Sequence, residues 1–239
     1  MKFQRFRSTI FFNLWGDVMD YNAIIFDCDG VILDSNLMKI SAFIESLNNY
    51  PSSTVTEFSH YQSQNFGRSR YLLFHDFFNL FLKRDPESGE INKLLNSYAE
   101  IVKRKYLEVP MTFGCQQTLD FLYNKYDLFV VSGSDEKELN DVFKTRGLNK
   151  YFVKIYGSPI SKEENIRRII QENNYIRCLY IGDAYNDYES VSRVDNCDFV
   201  YMEDYSTSKE KMKSIIHNTD IEVIKNLSEL PKRFEVIQD

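Results

Sequence analysis

Apolar positions along the chain follow two alternating patterns. Short continuous runs occur at Ala23, Ile24, Ile25 and Phe26, then at Leu128, Phe129, Val130 and Val131. Further runs occur at Val153, Ile155 and Tyr156, at Leu179, Tyr180 and Ile181, and at Phe199, Val200 and Tyr201. Strands of a parallel sheet covered on both faces read this way. Stretches with helical spacing lie between them, at about 115–125, 135–146, 162–173, 185–194 and 207–217. The alternation predicts an α/β fold built on a doubly wound parallel sheet. Ligands bind beyond the carboxyl ends of the strands in such sheets. Here the first run ends in Asp27, Cys28, Asp29 and Gly30, the second in Ser132, Gly133 and Ser134, and the fourth in Gly182 and Asp183.

Residues 36–109 break the alternation. They carry no strand pattern and read as amphipathic helices at 37–48, 70–82 and 91–107, with loops at 50–54 and 84–89. This predicts an all-helical insertion over 36–109, a core formed by 20–35 and 110–239, and a flexible N-terminal extension over 1–19.

A hydrophobic share of 43% is ample for a buried core. The formal net charge of -6 argues against a general nucleic-acid or membrane binder, while leaving room for a local cationic site that takes a small anion. No apolar run approaches the ~20 residues that span a bilayer. The four cysteines form no CxxC pair or zinc-type cluster, and so read as reduced, buried thiols of a cytoplasmic protein.

The polar strand ends carry the candidate chemistry. Asp27 and Asp29 are two apart and on a strand lie on one side. Two such carboxylates repel unless a cation or a shared proton relieves them, and a hard cation such as magnesium suits oxygen ligands. The same pattern also fits a capped strand end. Ser132, with the backbone of Gly133, can donate to a phosphoryl oxygen or simply cap a helix. Lys162 opens a helix, where a cation opposes the macrodipole and calls for an acidic partner or an anionic ligand, unless it is merely solvated. Asp183 ends a buried run and Asp187 follows four residues later. Both could face one ion, or Asp187 could neutralise its helix N-terminus.

Taken in order, these residues resemble the four motifs of the haloacid dehalogenase superfamily. Asp27 through Ser35 looks like the first, Ser132 matches the second, Lys162 the third, and Gly182, Asp183 and Asp187 the fourth. The long interval between the first two motifs resembles the helical-cap subgroup, which includes phosphoglycolate phosphatase-like and β-phosphoglucomutase-like enzymes. The resemblance implies a Rossmann-like core with the insertion as a cap. It implies a Mg2+-dependent phosphatase for a small phosphorylated metabolite such as a sugar phosphate, acting as a monomer or homodimer. A phosphosugar mutase is the alternative, and a non-catalytic binding protein a further one.

The resemblance also assigns roles. Asp27 would be the nucleophile and Asp29 the general acid and base. Asp27, the backbone carbonyl of Asp29, and Asp183 would hold magnesium, with Asp187 as a ligand or as the group that holds Lys162. Gly30, Ser132, Gly133 and Lys162 would surround the phosphoryl group. In the insertion, Asn65 through Arg70 resembles a Gly-x-Ser-Arg stretch that meets a substrate's acidic group, so Arg70, and after it Arg68, become substrate-binding candidates. His60 and His75 read as packing or surface residues, and Cys28 as core.

Overall fold

The computed structural model describes residues 10–12 and 18–234, with side chains from Tyr21 onward. A small antiparallel hairpin pairs β1 (Ile10–Phe12) with β2 (Val18–Asp20). Most of the expected flexible extension over 1–19 lies outside the described residues. The chain then enters β3 (Ala23–Phe26).

Four helices follow: α1 (Asn36–Ser46), α2 (Ser52–Gln64), α3 (Arg70–Asp76) and α4 (Glu90–Lys105). The chain continues through α5 (Cys115–Leu122), β4 (Asp127–Asp135), α6 (Glu136–Thr145), β5 (Lys154–Ser158) and α7 (Lys162–Asn173). After these come β6 (Cys178–Gly182), α8 (Tyr185–Val191), β7 (Cys197–Met202), α9 (Lys209–Asn218), β8 (Glu222–Ile224) and α10 (Leu230–Phe234).

The six strands β3 to β8 form one parallel sheet in the order β5-β4-β3-β6-β7-β8. The chain winds outward from β3 to β5, crosses back, and winds the other way from β6 to β8. Connections therefore diverge between β3 and β6, which makes their carboxyl ends the switch point where a crevice opens. Successive side chains on each strand enter opposite cores. Ile24, Phe26, Leu128, Val130, Leu179 and Ile181 pack on one face. Ala23, Ile25, Phe129, Val131, Cys178 and Tyr180 pack on the other.

The expected loop at 50–54 is corrected: α2 begins at Ser52. Its serines and threonines favour caps and turns over helix interiors, and this hid the helix. It forms because Val55, Phe58 and Gln62, spaced three and four apart, are buried along one side. Its hydroxyls turn back onto the helix, with Thr56 donating to Ser52 O at 2.9 Å and Ser59 to Thr56 O at 2.8 Å. The expected helix over 70–82 divides into α3 and a π-helical turn, Phe77–Leu82. That turn brings Phe77 against Phe58, with centroids 5.0 Å apart, in an aromatic core that also holds Phe43, Phe74 and Tyr98.

Candidate active site

Strand β3 is buried along its whole length and delivers Asp27 and Asp29 at its carboxyl end, where they are 1% and 5% exposed. Gly30 then turns the chain at φ +81°, and a Cβ there would sit 2.3 Å from Asp183 Oδ2 and 2.4 Å from Asn36 Nδ2. Only glycine fits both that conformation and that crowding.

On the other side of the switch point, β6 delivers Asp183, which is fully buried. Asp187 lies in the first turn of α8, and its Oδ2 accepts the Ala184 N–H at 3.0 Å. It thus caps the helix and also faces the site. Asp27, Asp183 and Asp187 each offer an oxygen within 4.8 Å of the others.

Lys162 is the cation of this cluster. It opens α7 against the dipole, which Glu163, Glu164 and the Ser161 cap oppose. Its Nζ lies 3.1 Å from Asp27 Oδ1 and donates to Asp187 Oδ1. Burial would lower the Lys162 pKa, but Asp187 and Asp27 outweigh it and raise it. One ammonium against three buried carboxylates leaves excess negative charge. Burial drives the Asp27 pKa up to about 7; Lys162 opposes this, and Asp187 and Asp29 add to it. Asp183 is raised well above the carboxylate range by burial, then by Asp187 and Asp27.

A divalent cation fits these residues. Asp183 Oδ1 is buried and accepts no hydrogen bond, and the buried Asp27 Oδ1 has only the shared Lys162 ammonium, 3.1 Å away. Hard carboxylate oxygens suit magnesium, and a cation would relieve the excess charge that raises both pKa values. Both Asp187 oxygens are already engaged, by Lys162, Ala184 N and the Tyr180 hydroxyl.

Asp29 sits in a different environment. Ser35, Tyr106 and Ser134 donate hydroxyls to it at 2.5, 2.7 and 2.7 Å, and Lys39 Nζ lies 3.1 Å away. Burial pushes its pKa up, but Lys39 and then the three hydroxyls more than reverse this, so the carboxyl is held below its ordinary value. The two aspartates are thus split, one held ionised and the other strained toward protonation. Cys28 between them is core, with its Sγ 3.2 Å from the Tyr106 hydroxyl.

Ser132 and Gly133, on β4, line the same cavity as Asp27 and Asp29. A Cβ at Gly133 would lie 2.3 Å from the carbonyl oxygen of Gly67, so the 65–70 segment rests directly on this strand end. Arg70 and Arg68 also line the cavity. Both head nitrogens of Arg70 are held by Glu138 of α6, at 2.7 and 2.5 Å, and Arg68 pairs with Asp76 at 2.7 Å. His60 and His75 are exposed.

Sequence patterning overlooked Asn36, Lys39, Gln62 and Glu138. Asn36 and Lys39 did carry a signal, because they share the buried face of α1 with Ala42 and Phe43. A lysine and an asparagine in an apolar register imply polar partners. The place of Gln62 in the cavity and the pairing of Glu138 with Arg70 depend on how the helices dock, which one element's periodicity does not encode.

Among the described residues no helix is long and apolar enough to cross a membrane. A comparison with curated proteins gives no match. Solved structures similar to this chain include a predicted phosphatase from Clostridium acetobutylicum, at 21% identity and TM-score 0.69, covering 89% of this chain and 97% of the other. A predicted phosphoglycolate phosphatase from Haemophilus somnus superposes with TM-score 0.68 at 15% identity, over 90% and 98% of the two chains. CbbY from Rhodobacter sphaeroides, solved with xylulose-(1,5)bisphosphate, gives TM-score 0.69 at 14% identity over 90% and 100%. At these identities the likeness is one of fold. Residues 24–202 match the family model for haloacid dehalogenase-like hydrolases, and the chain belongs to that family.

Proposed function

We propose that the protein is a magnesium-dependent phosphatase of small phosphate monoesters, with Asp27 as nucleophile. The observation that supports this best is the buried cluster of Asp27, Asp183 and Asp187, whose three carboxylates share the single Lys162 ammonium and leave Asp183 Oδ1 without a hydrogen bond. Asp27 Oδ1 and Asp183 Oδ1, with the Asp29 backbone carbonyl, would hold the ion. A bound divalent cation neutralises the carboxylates and lets an anionic phosphate approach them.

Asp27 then attacks phosphorus and forms an aspartyl-phosphate. Lys162 and Ser132, with the Gly133 backbone, bind the phosphoryl oxygens and stabilise the charge that develops on them. Asp187 holds Lys162 in place rather than taking a direct part. Asp29, held ionised by its four donors, suits the second half of the cycle, in which it takes the proton of the water that hydrolyses the intermediate. To act first as the acid it must carry a proton, so substrate has to displace part of that donor set. The helices of 36–109 act as a cap, with the 65–70 segment excluding bulk water from the phosphoryl group.

The test is release of inorganic phosphate from sugar phosphates, phosphoglycolate, nucleotides and p-nitrophenyl phosphate. Each is run with magnesium, with EDTA, and with Asp27→Asn. Release that requires both magnesium and Asp27 supports the reading. Its absence across the panel, from folded protein that binds magnesium, overturns it.

A further inference from the structure

Gln62 occupies the last turn of α2, is 1% exposed, and lines the same cavity as Asp27, Asp29 and Ser132. Its Oε1 is buried and accepts no hydrogen bond. A buried acceptor without a donor destabilises the fold, whereas a leucine of similar size in such a place carries no such penalty. The neighbouring wall could receive one, since Phe43, Phe66 and Leu73 line the cavity beside it.

The charged side chains that the insertion contributes to the wall already have partners. Lys39 holds Asp29 and Ser134, Arg68 holds Asp76, and Arg70 holds Glu138. Gln62 Oε1 is the exception on the insertion's side of the cavity, which Asp27 lines on the core side. The core-side carboxylate matches a cation. An acceptor on the opposite side calls for a donor carried by whatever the cation and phosphate sites position beneath it.

The chemistry narrows the donor. A carboxylate on the ligand could meet only the amide Nε2 and would leave Oε1 unpaired. An ammonium would add positive charge to a wall that already holds Lys39 and Arg70. A hydroxyl provides the donor without either penalty.

We infer that Gln62 is a specificity-determining residue whose Oε1 accepts a hydrogen bond from a hydroxyl on the leaving group, so that the preferred substrates are small hydroxylated phosphate esters. This rests on the phosphatase reading. The selectivity has a physical source: a site built to bond a hydroxyl rejects the analogue that lacks it, because the site's own polar group is then left unpaired.

The test compares wild type and Gln62→Leu, as the full chain with magnesium, on glycerol 3-phosphate, n-propyl phosphate and phosphoglycolate. The wild type is expected to favour glycerol 3-phosphate over n-propyl phosphate in kcat/KM by about tenfold or more. In Gln62→Leu that ratio falls toward one, mainly through KM. The unliganded variant melts at the same temperature as wild type or higher, because it loses an unsatisfied buried acceptor. A wild-type ratio near one, a variant that loses both esters equally, or phosphoglycolate as the preferred ester would each overturn the inference. So would a clear drop in melting temperature, which would show that the amide has a structural partner. If wild type releases phosphate from no ester, the phosphatase reading itself falls, and the melting comparison still judges Gln62.

Discussion

Lys162 Nζ lies 3.1 Å from Asp27 Oδ1 and bonds Asp187 on its other side, so a single ammonium is shared by two buried carboxylates. The sharing leaves Asp27 short of positive charge, and burial drives its pKa up to about 7. A carboxyl whose folded pKa is raised destabilises the fold wherever it is ionised, that is, above its ordinary pKa.

Asp27→Asn is therefore expected to separate activity from stability. Turnover should fall by about a thousandfold or more, because an amide cannot form the acyl phosphate. Without added metal the melting temperature should rise by a few degrees, at about 2–4 °C per kcal/mol for a chain of this size. Calorimetry in EDTA checks this. A lower melting temperature would mean that Lys162 needs Asp27 more than Asp27 suffers from burial beside Asp187 and Asp29.

Asn36 donates to Asp183 Oδ2 at 2.7 Å and to the Tyr205 carbonyl at 2.9 Å. One carboxylate oxygen of Asp183 is thereby fixed, and Oδ1 is left without a hydrogen bond. Partners that orient a ligand typically matter by about 10–100-fold in metal affinity. Asn36→Ala should weaken magnesium binding by that order, as read by calorimetric titration, while the far-UV spectrum stays native. Unchanged affinity would show that Gly30 and the backbone alone orient Asp183.

The strand ends that bring Asp27, Ser132, Lys162 and Asp183 together were legible because each follows a continuous apolar run, and a parallel sheet sets such ends side by side. The six-strand order was not, since periodicity does not say which edge a returning strand joins. β8 escaped notice because Glu222, Val223 and Ile224 are too few to stand out from a loop. α2 was hidden by its hydroxyl residues. Arg70 shows the limit most clearly. Its place at the start of a helix was readable, but its bidentate partner Glu138 lies 68 residues away on α6 and depends on how the insertion docks.

That pair yields a further prediction. Arg70 is 5% exposed, and its guanidinium also lies 4.7 Å from the Tyr98 ring centroid. Removing the partner of a buried charge costs about 3–5 kcal/mol, whereas replacing both partners with apolar residues is often close to neutral. Glu138→Leu should thus lower stability by up to about that amount, less to the extent that Glu138 is itself part-exposed. Arg70→Met with Glu138→Leu should recover most of the loss. Urea denaturation of the two single variants and the double variant measures the coupling. Additive losses would show that the ion pair is not what joins α3 to α6.

The thiols supply a pH prediction remote from the site. Burial pushes Cys115 and Cys178 up to about 12, with Asp198 adding to the rise at Cys178. At pH 8 the thiolate fraction of such a group is about one in ten thousand, against about a quarter for a free thiol near 8.5. A raised folded pKa contributes stability that is complete below the ordinary thiol pKa and is lost as pH climbs toward the folded value. Native protein treated with iodoacetamide at pH 8 should therefore leave Cys115 and Cys178 unmodified, and urea should release both. Mass spectrometry of the alkylated peptides decides the point. Rapid native labelling of Cys178 in particular would mean that the edge of β6 against β7 opens well below the global unfolding free energy, contrary to its full burial in the sheet.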